Sequence, residues 1–437
     1  MRTGILAAAM AAGCVAITAV SQSIPDKAVE IQNPAWTMTY GAEVRFRFDD
    51  FVQVPGRWNA RPSKDVVYTR TRTRGWMEAA YGDCALYLRA ANEWRHYFVS
   101  PSAKDPNSYH WADEAYVDNL YLTLSGLDLM DHDTQLRIGR QDLKFGAGRV
   151  FADATPGDGS RSFFADAIRA TIKTAEKSRI DLFYAYLHTE NELTLGDQDR
   201  LLTQWGVEQA VGAYYVNGEN KQVPFKAYYV GVFGQTAMDR LNTCGMRVLP
   251  AFGDHVKGEL ETAYQFGEWQ SERNISAYMV YGGVTGDLAS QHPCKPYAGA
   301  AVYLLSGDDG QGDDSAWKPA LARGDTQMSE LIYRSRPEQW SNLIFPHVEL
   351  GIAMSKDHKA RLLTGMLYYD EKPVGATSRE QGFFTMLRYD FPLVKNLFGT
   401  RGEIKGALLG EALIPGDLYT QNDETAYCFR FELNAAY

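Results

Sequence analysis

The chain has 437 residues, 13% aromatic side chains and a formal net charge of −10. With a mean hydropathy of −0.33 it does not carry the recurring apolar runs of about twenty residues that a bundle of membrane-spanning helices needs. The acidic balance argues against nucleic acid as a partner.

The single long apolar run opens the chain, MRTGILAAAMAAGCVAITAVSQS. Arg2 supplies a positive start, Ile5 to Val20 an apolar stretch, and Ala19-Val20-Ser21 a small-x-small cleavage site, which predicts a secretory signal over residues 1–21. The AAGC string ending at Cys14 is only a weak lipoprotein-like signal, because apolar residues continue after it. Residues 22–437 then form one predicted domain.

That domain opens on WTMTYGAEVRFRF, in which Trp36, Met38, Tyr40, Ala42, Val44, Phe46 and Phe48 share one parity and Glu43, Arg45 and Arg47 the other. Side chains alternate between the two faces of a strand, so this is a strand with one apolar and one polar face. The same alternation recurs from Leu86, from Ala167 and from Val256. No helical period is sustained. Marking segments of about ten residues predicts an all-β chain of about eighteen strands, sixteen being the neighbouring even count for an outer-membrane barrel. Up to mid-chain the connections alternate long (Val52 to Asp65, Val99 to Ala112, Gly146 to Arg161, His188 to Gln204) and short (Tyr81 to Asp83, Thr174 to Ser178). Such a barrel has long external loops and short periplasmic turns. The longest connection, Ser306 to about Leu343, falls on the long side and is expected to fold over or into the mouth as a gate. The chain ends on YCFRFELNAAY, an aromatic-terminated alternating strand suited to closing the sheet on its first strand and to recognition by the barrel-assembly machinery. Outer-membrane lipid is the expected surrounding.

The parity that faces away from lipid collects charge. In VVYTRTRTRGWME, Arg70, Arg72 and Arg74 lie on one face at period two, about 7 Å apart. Arginine on the lipid face would cost about 2–4 kcal/mol, so the three point inward. Guanidinium groups bind carboxylates bidentately and stay charged, which suits a relay for uronate groups; alternatively they pair with lumenal acids and hold the wall together. The same test turns Arg45, Arg47, Arg89, Arg95, Arg169 and Arg430 inward, with Glu43, Glu93, Glu259, Glu261 and Glu432. Mixed signs let a polyanion bind and still leave. Arg137 and Arg140 have opposite parity, so one of them needs a bulge or an interface position.

The run GRQDLKFGAGRVFADATPGDGSRSFFADAIRAT, from Gly139 to Thr171, resembles the alginate-export family of outer-membrane barrels. ANEWRHY, GAEVRFRF, and YLLSGDDGQGDDSAW followed by SELIYRSRPEQWSNL are similar to that family as well, and the likeness extends over essentially all of residues 22–437. In the second place of Asp153-Ala154-Thr155-Pro156, members often carry glycine. The resemblance implies a monomeric, arginine-lined barrel of eighteen strands that conducts an anionic polysaccharide or its fragments. A general or oligosaccharide-uptake porin with anion preference is the alternative.

Other features are less specific. Asp308, Asp309, Asp313 and Asp314 are either a solvated acidic loop or a calcium site, with no EF-hand spacing. Trp36, Trp94, Trp111 and Trp269 fit aromatic girdles or sugar platforms. Cys84, Cys244, Cys294 and Cys428 permit a loop disulfide or free thiols and fit no metal motif. No GxSxG occurs, the histidines lack metal-ligand spacing, and no glycine-rich phosphate loop follows a strand, so no enzymatic reading and no further cofactor are expected.

Overall fold

Period-two alternation over most of the chain gives, in the computed structural model, one antiparallel sheet closed on itself. Residues 29–33, 36–55, 65–99, 115–154, 162–195, 208–234, 238–321, 328–336, 340–397, 399, 402–421 and 424–437 are described. The predicted signal segment, Cys14 and Trp111 lie outside them. Eighteen strands form the wall: β1 (Trp36–Val52), β2 (Val66–Tyr81), β3 (Cys84–Val99), β4 (Ala115–Leu129), β5 (His132–Gln141), β6 (Ala165–Ala175), β7 (Ser178–Leu187), β8 (Glu208–Asn217) and β9 (Phe225–Phe233) make one half. The other half is β10 (Met238–Val248), β11 (Val256–Trp269), β12 (Asn274–Asp287), β13 (Tyr297–Leu305), β14 (Leu343–Ser355), β15 (His358–Tyr368), β16 (Glu380–Leu397), β17 (Gly402–Pro415) and β18 (Ala426–Ala436).

Each strand pairs antiparallel with its neighbours in sequence, and β18 closes on β1 in register from Glu43↔Ala436 to Val52↔Tyr427. The start of β1 reaches beyond that seam, and a short strand, Val29–Asn33, pairs with it from Trp36 to Tyr40. Closure removes the open edges that lipid would leave unsatisfied. Leu120, Ile138, Ile168, Leu182, Val211, Leu260 and Leu350 stand exposed on the outer face, the apolar band of a membrane barrel. At the turn end Trp36 lies 5.0 Å from Tyr81, both half exposed, as a girdle pair.

Turns such as residues 82–83, 130–131 and 176–177 join strands at one end, and the long connections lie at the other. The alternation fades in the second half: β9–β10 and β11–β12 are joined by short links on the loop side, 234–237 and 270–273. The β11–β12 link is covered instead by residues 306–342 (L7), whose Gly312 carbonyl and Asp308 carboxylate accept from Arg273 at 2.9 and 2.8 Å.

L7 and the β5–β6 connection, residues 142–164 (L3), turn inward. Phe145 and Phe151 of L3 join a buried aromatic cluster with Phe183, Tyr214 and Tyr228 of the wall, at 4.9 to 6.0 Å between ring centres. Trp317, Leu321, Leu331, Ile332 and Trp340 of L7 are buried in the same core. The loops meet where Phe151 bridges Leu321 and the Leu321 N–H donates to the Val150 carbonyl at 3.1 Å. Hydrophobic burial inside the barrel therefore fixes the described parts of both loops. Within L7 a one-turn helix, α1 (Glu330–Arg334), begins at Ser329, whose hydroxyl accepts from the Ile332 N–H at 3.0 Å.

Candidate functional site

The closing strands carry the inward arginines. Across the seam the Cα register aligns Lys359, Asp390, Ala407, Glu432, Arg47, Arg70 and Arg95 in one row. The next row aligns Arg361, Arg388, Leu409, Arg430, Asp49, Tyr68 and Tyr97. Alternate positions on every strand deliver these side chains to the lumen, so period-two charge on six strands becomes a cationic belt.

Many of these cations are held by acids. Glu43 Oε1 accepts from Arg72 Nη2 at 2.8 Å and from Arg74 Nε at 2.6 Å, and all three side chains are buried. Arg89 reaches Asp118 at 2.8 Å and Asp142 at 3.2 Å, helped by a register shift at Arg89/Ala90. Arg169 pairs with the fully buried Asp181 at 2.7 Å, and Arg95 donates to Tyr97 Oη at 2.7 Å. Arg45, Glu93 and Glu432 are buried in the same wall. Arg70 differs. It is half-buried and makes no side-chain hydrogen bond or ion pair among the described residues.

At the seam Arg47 Nε and Arg430 Nε hold the two oxygens of Asp49, at 2.7 and 2.6 Å. Their outer nitrogens converge on Glu330 Oε1 of α1, at 2.7 Å from Arg47 and 3.0 Å from Arg430. Arg334 holds the other Glu330 oxygen at 3.2 Å and lies 4.3 Å over the Phe51 ring. Burial would push the Glu330 carboxyl up, but Arg47, Arg430 and Arg334 hold it well below the usual carboxylate range.

Between the belt and the inward loops lies a cavity of about 620 Å³. Lys144 and Arg149 of L3, Lys359 and Arg361 of β15, Arg388 of β16 and Arg430 of β18 line it, against the carboxylates of Glu349, Asp390 and Glu411. Tyr281, Tyr297, Tyr303 and His347 supply an aromatic side. Arg149 donates to Glu259 at 2.6 Å and to Glu261, and its guanidinium lies 3.6 Å over Tyr281. Arg388 pairs with Asp390 at 2.8 Å; Lys359 has no side-chain partner among the described residues.

Of the residues predicted from sequence, Arg430 alone lines this cavity. Lys359, Arg361 and Arg388 were missed, although the same parity test on HKARLL and TMLRYD finds them. Lys144 and Arg149, on a loop, leave no such periodic signal.

Arg137 and Arg140 take opposite faces. Arg137 lies 4.3 Å from the Tyr121 ring. Arg140 shares the outward parity of Ile138 and reaches Asp166 at 3.0 Å and Asn191 at 3.2 Å at the loop end of the barrel, so it is the interface residue. Between them Gly139 has φ +123° and would bring a Cβ to 2.3 Å from the Leu120 carbonyl, so glycine is required there.

The acidic loop does not gather around one point. Asp308 pairs with Arg273, and Asp314 with Lys318 at 2.9 Å and Trp269 Nε1 at 2.6 Å. Asp309 accepts from the Gln311 N–H and Asp313 from Asn274. Each aspartate thus has a local donor, and among the described residues no three His, Cys, Asp or Glu side chains form a metal-binding group. The four cysteines are free.

A closed barrel of eighteen strands, apolar outside and cationic within, is an outer-membrane barrel of the porin type. Solved structures with this architecture are similar over nearly their whole length. Acinetobacter baumannii OccAB4 matches with a TM-score of 0.56 at 10% identity, covering 94% of this chain and 99% of its own. Pseudomonas aeruginosa OccK2 (OpdF) in complex with glucuronate matches with 0.55 at 10%, covering 91% and 97%. A BenF-like porin from Pseudomonas fluorescens Pf-5 matches with 0.57 at 8%, again covering 91% and 97%. At such identities the likeness is one of fold. No family model matches the chain, and no curated protein matches it in sequence. The outer-membrane fold and location follow; membership of the alginate-export family does not.

Proposed function

We propose that this chain is an outer-membrane channel selective for small organic anions that carry a carboxylate, of the size of a single uronate. The observation that carries this reading is the cavity of about 620 Å³ in which six cations face three carboxylates. That volume is typical of small-molecule sites, about 300–1,000 Å³. Fixed positive charge inside low-dielectric walls concentrates anions whatever the net charge of the chain. The inward packing of L3 and L7 favours small solutes over the intact polysaccharide that the sequence resemblance implies, since a polymer needs a continuous wide path. A structural neighbour crystallised with glucuronate supports the same class.

Planar-bilayer recording tests it. Reversal potentials in a chloride gradient are expected to show anion preference, and glucuronate is expected to give brief blockades. Cation selectivity, or threading of long polyuronate chains as readily as monomer, overturns it.

A further inference from the structure

One carboxylate site in the lumen already holds a carboxylate, and it belongs to the protein. Glu330 of α1 presents one oxygen to Arg47 and Arg430 and the other to Arg334. Arg47 is fully buried, and Arg430 and Glu330 are 2% and 4% exposed. Without Glu330, Arg47, Arg430 and Arg334 would lose the carboxylate they share, a loss of negative charge that another anion would offset. Arg430 also lines the open cavity, so the cradle and the conduction path share a wall. Glu411, likewise on that wall, accepts from the Leu331 N–H at 3.1 Å and so ties the backbone of α1 to it.

We propose that Glu330 is a tethered stand-in for the transported anion: it occupies a carboxylate site formed by Arg47 and Arg430, and an incoming carboxylate displaces it and releases α1. This rests on the channel reading above. A group on a short flexible link competes at an effective concentration in the millimolar range, and the burial of Leu331 and Ile332 holds Glu330 in place more firmly than such a link. Displacement therefore needs at least millimolar carboxylate, and α1 yields only when anion is abundant. Exchange of one carboxylate for another keeps the charge of the cradle constant.

The test is full-length protein in planar bilayers, wild type and Glu330→Gln, with sodium glucuronate titrated from the loop side. Wild type is expected to shift from a low to a high chloride conductance between about 1 and 100 mM glucuronate. Glu330→Gln is expected to be high from the start and to lose that shift. A wild-type conductance state indifferent to glucuronate, or a Glu330→Gln channel with the wild-type response, overturns the proposal. Folding is read from heat-modifiable migration. If Glu330→Gln does not fold, Glu330→Asp keeps the charge but draws the carboxylate back by one methylene. Its half-saturating glucuronate is expected to fall about tenfold, as for one lost charge-assisted bond; an unchanged value overturns the assignment. A cation-selective wild type defeats the channel reading itself, whereas anion selectivity and glucuronate blockade without the conductance shift defeat only the role of Glu330.

Discussion

Arg70, Arg72 and Arg74 are equivalent in sequence and different in the wall, and that difference predicts a separation of selectivity from ligand contact. Replacing any one by glutamine removes one positive charge, so Arg70→Gln and Arg72→Gln should lower anion preference by similar amounts. Ligand contact should not follow charge. Arg72 and Arg74 are both bound to Glu43 Oε1, at 2.8 and 2.6 Å, whereas Arg70 has its donors unspent among the described residues. A free guanidinium that meets a carboxylate contributes a charge-assisted bond of about 1.5 kcal/mol, roughly tenfold in dwell time. Arg70→Gln should therefore shorten glucuronate blockades about tenfold, and Arg72→Gln should change them little. The stability cost runs the other way. Arg72→Gln breaks one buried pair while Arg74 still holds Glu43, at a cost of about 1–2 kcal/mol; Arg70→Gln breaks none. Glu43→Gln should raise anion preference by removing an acid. Single-channel dwell times, reversal potentials and the heating temperature at which the folded gel band is lost measure the three quantities. Equal shortening of blockades by Arg70→Gln and Arg72→Gln would refute the argument.

Two more outcomes follow from the loop end and the seam. His188 follows β7, its Nε2 2.6 Å from Asp166 and its Nδ1 3.3 Å from Glu192, with Arg140 also on Asp166; the hydrogen bond to Asp166, with both acids, raises its pKa against burial and Arg140. A raised native pKa stabilises this contact fully below about pH 6.5, and the contribution is lost as pH rises through the native value. Cleavage of the β7–β8 connection by added protease should therefore increase from pH 6 to pH 9 in wild type and stay flat in His188→Gln; a flat wild-type profile refutes it. Deleting Phe429 to Tyr437 removes most of β18, which pairs with both β17 and β1, and leaves two edges in lipid where each unsatisfied group costs several kcal/mol. No heat-modifiable band should appear in the outer membrane, and normal levels of one would sink the closure argument.

Parity reads the face of a side chain and nothing about its partner. That is why the strands, the closing C-terminal strand, the inward turn of Arg47 and Arg430 and the length of L7 could all be seen in one dimension. Alternation is a local consequence of the pleat, and lipid on one side enforces it along every strand. Pairing is not local. Glu43 meets Arg72 and Arg74 because β1 runs antiparallel to β2 in one register, and a slip of one residue would part them. Glu330 meets Arg47 across nearly three hundred residues because Leu331, Ile332, Trp317 and Trp340 of L7 have more to gain inside the barrel than in water. Whether a lumenal cation is braced is therefore decided by what the strand register or an inward-packed loop places beside it. Arg72, Arg74 and Arg149 have an acid placed against them, Arg70 and Lys359 have none among the described residues, and no local pattern in the chain separates the two groups.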